Sequence, residues 1–136
     1  MGDGCEFCRL LARDDLSYAV YEDEATVAFL DRDPAVEGHT LVVPRAHESE
    51  LLTAAEPTTE AVFRTVRTVA RAIERTLEPS GFSVFHTSGS LVGHVDHAHV
   101  HVLPRSPDDD IHVALSRRPL DEASAASLAA AVRENL

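Results

Sequence analysis

Gly93-His94-Val95-Asp96-His97-Ala98-His99-Val100-His101-Val102-Leu103-Pro104-Arg105 carries three histidines at every second position, with aliphatic residues between them. A period of two is the period of a β-strand. His97, His99 and His101 therefore project to one face, and Ala98, Val100 and Val102 to the other. Neighbours on one face stand roughly 6–7 Å apart. Three imidazoles in a row offer donors, acceptors, nucleophiles or metal ligands, none of which an apolar core requires on that face. The stretch predicts a half-buried strand with chemistry on its polar side. A tag-like metal scavenger is the bland alternative, but the segment is internal, alternates with aliphatics and ends at Pro104-Arg105.

Upstream, Ser90 to Asp96 reads as a loop, Thr87-Ser88-Gly89 as its start, and Phe82 to His86 as a strand. Val62, Val66, Val69, Ile73 and Leu77 recur at spacings of three and four, so Thr58 to Leu77 is an amphipathic helix. Arg64, Arg67, Arg71 and Arg75 form its solvated face, and Pro79-Ser80-Gly81 ends it. Glu48 to Ala55 suggests a short helical turn. His39 to Val43 is a strand entered through Gly38 and closed by Pro44-Arg45-Ala46-His47. Tyr18 to Tyr21 and Thr26 to Asp31 form a hairpin turned by Glu22-Asp23-Glu24. Beyond Arg105 lies an acidic loop, Asp108-Asp109-Asp110. A last helix is opened by Pro119 and Asp121, with Leu128, Val132 and Leu136 on one face. The fold class expected is α+β: a five-stranded, mainly antiparallel sheet with one long helix and short terminal helices, in one domain over residues 1–136.

The 136 residues suffice for one self-supporting core, and 44% apolar residues is ordinary for a globular chain. No apolar run reaches transmembrane length and no signal peptide is expected, so a cytoplasmic protein is the default. Acidic residues number 23 against 12 basic ones, for a net charge of −11, and every basic residue is Arg. Such a surface repels nucleic acid and anionic membranes, and neither is expected as a partner. A halophilic, salt-rich cytoplasm favours an acidic, lysine-free surface; a GC-rich genome also favours Arg and Ala, and both readings stand.

The only two cysteines form Cys5-Glu6-Phe7-Cys8 at the start of a short helix. A redox pair, two inert thiols and a zinc half-site are all compatible with that spacing. The redox reading lacks a thioredoxin-like βαβ context. The zinc reading needs two further ligands from elsewhere in the chain.

The triad strand resembles the signature of the histidine triad (HIT) superfamily of nucleotide hydrolases and transferases, His-φ-His-φ-His-φ-φ, read here from His97 to Leu103. Gly38-His39-Thr40-Leu41-Val42-Val43-Pro44-Arg45-Ala46-His47 resembles the second signature block of that superfamily. The resemblance implies a HIT-like fold, usually a homodimer that joins two sheets, and a hydrolase using a nucleotidyl-histidine intermediate. The middle residue, His99, suits the nucleophile because its neighbours can steady the phosphate oxygens. The family pattern gives it the same role. His101 would stabilise developing charge, and His39 would orient the active imidazoles. Zinc-bearing members use a Cys-x-x-Cys pair with the first triad histidine and a histidine after the Pro-basic-x step. Here those are Cys5, Cys8, His97 and His47, a closed structural zinc site with one ion per chain. By the same carry-over Asp31 takes the ribose hydroxyls, Phe7, Leu10 and Phe29 wall the base, and Thr87 and His94 lie near the nucleotide.

Two departures stand out. Many members have Asn before a Gly where this chain has Thr87-Ser88-Gly89, and Gly-Gln where it has Gly93-His94. Only two residues then precede His97, against the usual four. The expected substrate is a purine nucleoside phosphoramidate or a related conjugate cleaved at the α-phosphate. A dinucleoside polyphosphate hydrolase is the second enzymatic reading. A catalytically weak zinc-stabilised nucleotide-binding module is the non-enzymatic one, against which His99 itself argues.

Overall fold

The computed structural model of the chain describes residues 4–13, 17–89 and 95–136. Its elements are α1 (Glu6–Leu11), β1 (Ala19–Glu22), β2 (Thr26–Leu30), β3 (Thr40–Pro44), α2 (Glu56–Leu77), β4 (Gly81–Phe85), β5 (Val100–Arg105) and α3 (Glu122–Glu134). The strands form one five-stranded sheet in the order β1-β2-β3-β5-β4, and every pairing is antiparallel. The α+β class and strand count match the expectation from sequence.

The β1–β2 hairpin is set by Asp23. Its Oδ1 accepts from the backbone N–H groups of Ala25 at 2.8 Å and Thr26 at 2.7 Å, and its Oδ2 accepts from the Tyr21 hydroxyl at 3.0 Å. A carboxylate bonding its own following backbone supplies the turn that the Glu-Asp-Glu run announces. The β2–β3 connection returns through Gly38 at φ +87°. A Cβ there would stand 2.7 Å from Leu77 Cδ1 and 3.0 Å from Pro104 Cγ, so glycine lets the loop, the end of α2 and β5 approach.

Alternation in the strands sorts the core onto two faces. Ala28, Val42, Ala98, Val100 and Val102 turn toward Val62, Val66 and Val69 of α2, whose spacing of four and three makes one stripe. The partly polar seam there includes a buried hydrogen bond of 2.7 Å between the hydroxyls of Thr26 and Thr65. Val27, Phe29, Leu41 and Val43 turn the other way and pack under α1 with Phe7 and Leu10. A helix of six residues does not hold itself in water. Burial of Phe7 and Leu10, each worth roughly 1.5–3 kcal/mol, fixes α1 against the sheet.

Three expectations change. The long helix begins at Glu56, two residues early, because Pro57 fits the first turn, where its missing N–H costs nothing. Glu48 to Ala55 forms bends and turns without a helix, pinned by the buried Leu51, whose carbonyl accepts from Thr59 Oγ1. The triad strand is shorter than its alternation suggests. β5 begins at Val100, where its pairing with β3 begins at Val42, and His97 and His99 precede it. Across that lead-in the Ala98 N–H donates to the Glu48 carbonyl instead of to a strand. The alternation survives: Ala98 stays in the α2-facing core, and the three imidazoles stay on the α1 side. The apolar positions Leu128 and Val132 of α3, and Leu136 beyond its end, are all exposed.

Candidate functional site

The α1 side of the sheet holds two neighbouring constellations. The first gathers Cys5, Cys8, His47 and His97, whose ligand atoms all lie within 4.8 Å of one another. Cys5 caps α1 and its Sγ accepts from the Cys8 N–H at 3.3 Å. His97 is fully buried, and its Nε2 faces the Pro44 carbonyl at 2.8 Å. A carbonyl only accepts, so Nε2 carries the proton and Nδ1 keeps its lone pair. That Nδ1 faces Cys5 Sγ at 3.4 Å and Cys8 Sγ at 3.5 Å, while His47 Nδ1 lies 3.3 Å from Cys8 Sγ. Burial and the adjoining Cys5 push the Cys8 thiol up. Two thiols and two imidazoles converging in this way suit a soft, tetrahedral divalent cation, with His97 already in the tautomer that can ligate.

The second constellation gathers His39, His99 and His101 beside Asp31. The tautomers again follow from fixed partners. His99 Nδ1 faces the His97 carbonyl at 2.8 Å, so it donates, and Nε2 is left with a free lone pair. The Ala35 backbone N–H donates to His39 Nδ1 at 3.0 Å, which places the His39 proton on Nε2. That Nε2 lies 2.9 Å from His101 Nδ1 and 3.5 Å from Asp31 Oδ2. His101 Nδ1 therefore accepts, and its own proton sits on Nε2. Burial holds His101 down to about 4, reinforced by repulsion from His99 and His39, so the ring is neutral at pH 7. Burial also lowers His39, against the pull of Asp31. The result is one imidazole with an open lone pair beside another with an open N–H. Asp31, His39 and His101 could also be counted as three metal donors. The Ala35 N–H excludes that, because it occupies the one His39 nitrogen that has a lone pair.

Phe7 stands edge-on to His99 at 5.1 Å and to Phe29 at 5.7 Å, and Phe85 stacks on His101 at 4.3 Å and 15°. These contacts fix ring orientation without using the nitrogens. A cleft of about 450 Å³ opens beside the rings. Its lining includes the expected Phe7, Leu10, Phe29, Asp31, Thr87, His99 and His101. Asp31 Oδ1 accepts from the Asp33 N–H at 2.9 Å, which sets the carboxylate at the cleft edge. His39 is buried behind His101 and is absent from the cleft wall. His94 lies outside the described residues.

Two sets of residues escaped the sequence reading. Glu6, Arg32 and Asp33 add charge to the cleft rim, and nothing in a lone charged residue announces that. His86 at the end of β4 places Nδ1 3.0 Å from the His99 carbonyl and Nε2 3.4 Å from Glu50 Oε1. It ties the backbone of His99 to the loop before α2. Glu50 is 36 residues away in sequence, so only the folded chain brings the pair together.

The HIT domain profile matches residues 13–108 of the chain. The protein belongs to the HIT family. A HIT relative from Bacillus subtilis, the protein named hit, is 38% identical over 104 residues, covering 76% of this chain and 72% of its own. The adenosine 5'-monophosphoramidase of Schizosaccharomyces pombe is 27% identical and covers 77% of each chain. Among solved structures, a HIT family member from Bacillus subtilis superposes with a TM-score of 0.87 at 31% identity, covering 98% of both chains. A Zn-bound histidine triad protein from Mycobacterium smegmatis superposes at 0.73 and 30% identity, over 98% of this chain and 96% of its own. HIT membership, the fold and a family that includes nucleotide hydrolases are therefore established for this chain. Among the described residues no helix is long and apolar enough to cross a membrane.

Proposed function

We propose that this HIT protein is a cytoplasmic, single-domain hydrolase that cleaves purine nucleoside phosphoramidates, or related nucleotide conjugates, at the α-phosphate. One observation carries the reading: His99 is pinned through Nδ1 to the His97 carbonyl, which leaves Nε2 as an unoccupied nucleophile in the cleft wall. Attack by that lone pair forms an N–P bond and breaks the bond from phosphorus to the leaving nitrogen. The His101 Nε2–H, presented by the His39 relay, supplies the proton the leaving amine needs. Water then attacks phosphorus, the N–P bond breaks, and nucleoside monophosphate departs with both histidines restored. Asp31 accepts from the ribose diol, the apolar walls of Phe7, Leu10 and Phe29 hold the base, and Thr87 binds the nucleotide from the same cleft wall.

Cys5, Cys8, His47 and His97 fit a structural zinc ion, one per chain, supported by the lone pair that the Pro44 contact leaves on His97. Such an ion supplies orientation: its ligand His97 also holds His99 through the backbone carbonyl. A homodimer joined along β4 is supported by the edge position of that strand and by the half-exposed Val84 and Phe85 on it.

The test is intact-mass spectrometry of the protein mixed with an adenosine phosphoramidate and quenched in mild alkali, where a phosphohistidine persists. A nucleotidyl increment that vanishes in His99→Gly is the expected result. An increment that survives in His99→Gly, or nucleotide release without His99, would refute the assignment.

A further inference from the structure

Apolar rings and aliphatics form part of the cleft wall, and besides the Asp31 carboxylate its rim carries three charged side chains, Glu6, Arg32 and Asp33, of which Glu6 alone stands on α1 with the base walls Phe7 and Leu10. Glu6 and Leu10 are four residues apart on α1, so they share a face one turn apart, and both line the cleft. Arg32 follows Asp31 directly and lines the same cleft. Glu6 and Arg32 are exposed at its mouth, and they form no ion pair with each other among the described residues. A carboxylate beside the wall residues repels a phosphate. It has value only against a ligand edge that donates. The ribose diol is already matched by Asp31. The remaining donor edge of a nucleotide is its base.

We infer that Glu6 and Arg32 read the base, and that the preferred nucleotide carries guanine. The inference rests on the reading of the cleft as a nucleotide site. Guanine places N1–H and an N2 amino group side by side, two donors that one carboxylate accepts together. Its opposite edge presents O6 and N7, two acceptors that match the fork of a guanidinium. Adenine fails on both counts. Its N6 amino group gives a carboxylate one hydrogen bond beside the repelling N1 lone pair, and it presents a donor where Arg32 needs an acceptor. Hypoxanthine keeps O6, N7 and N1–H and lacks only the amino group, so it stands between the two. Cytosine offers a single amino group and a smaller ring that leaves the apolar walls of Phe7 and Phe29 partly uncovered. Both rim side chains are open to water, so the selectivity is moderate. A buried polar site would discriminate far more strongly.

The experiment is equilibrium binding of 5'-GMP, 5'-IMP, 5'-AMP and 5'-CMP to the full chain by calorimetry, with turnover of guanosine and adenosine phosphoramidates measured separately. GMP is expected to bind about tenfold more tightly than AMP, with IMP between them. Glu6→Gln should close most of the GMP–IMP gap, since an amide oxygen with a donor beside it no longer accepts both N1–H and the amino group. Arg32→Ala should weaken GMP and IMP and leave AMP little changed. Equal affinity for GMP and AMP, tighter CMP than GMP, or a GMP/AMP ratio untouched by either substitution overturns the inference. So does an Arg32→Ala variant that weakens all four nucleotides alike, which would place the guanidinium on phosphate. Turnover separates this inference from the broader reading. Equal rates on both phosphoramidates, with equal affinities, sink guanine selection alone. A GMP preference with no turnover of either sinks the hydrolase and leaves the base reading standing.

Discussion

At His101 the fold keeps an imidazole neutral by burying it and crowding it with two others, which holds it down to about 4. The unfolded chain releases that ring to an ordinary value near 6.5. Between about pH 4 and 6.5 the unfolded state then binds more protons than the folded one, so stability rises with pH across that window and is lost as pH falls through it. His39 is lowered for the same reason and adds to the slope. In denaturant titrations of metal-free protein, His101→Gln should flatten the dependence of stability on pH between 4 and 6.5. A slope identical to that of the parent would show that His101 is not desolvated as described. The roles of the individual nitrogens were hidden in the sequence. Pro44 reaches His97 from a distant segment, while Ala35 serves His39 from four residues away and His97 serves His99 from two, so even the local partners depend on how the folded loop and lead-in aim each ring.

At the scale of elements, the β2–β3 loop and α1 bring the site together. Gly38 sits at φ +87°, where a side chain is strained, and its Cα faces Leu77 and Pro104. The Leu77 methyl can swing away because that residue is partly exposed, but the Pro104 ring is fixed in β5. Gly38→Ala should therefore lower stability by about 1–3 kcal/mol in chemical denaturation, mostly from the backbone conformation. A change within a few tenths would mean the loop relaxes freely. Cys5 caps α1, and the helix carries Cys8 and the apolar residues over the sheet, so the metal cluster and the cleft share one short helix. If Cys5, Cys8, His47 and His97 hold zinc, Cys5→Ser should drop metal content from about one ion per chain toward none, by atomic emission. It should also lower the melting temperature, because α1 loses its tie to His97. Unchanged metal content would rule out Cys5 as a ligand. The Cys-x-x-Cys spacing allowed three readings. Convergence with His47 and His97 favours metal over a redox pair, and that convergence required α1 to dock on the end of β3.

Across the whole molecule a net charge of −11 acts on a core of modest size. If the acidic, lysine-free composition is an adaptation to salt, the melting temperature should climb from low to molar salt as repulsion is screened. A flat response would assign the composition to coding bias. The sequence by itself determined the α+β sheet, the long helix and the polar face of the triad, because periods of two and of 3.6 are written in consecutive residues and survive any docking. It did not determine where the triad strand begins, since the ladder needs β3 opposite, and the lead-in takes its hydrogen bond from Glu48 instead. Nor did it reveal the tautomers, the link from Glu50 through His86 to His99, or the charged rim of Glu6 and Arg32. The Pro44–His97, His39–His101 and Glu50–His86 contacts join residues 53, 62 and 36 positions apart, and the shorter-range ones still depend on the loop geometry that packing sets. Hydrogen-bond partners are fixed by distance and direction in space, and only the packed tertiary structure supplies them.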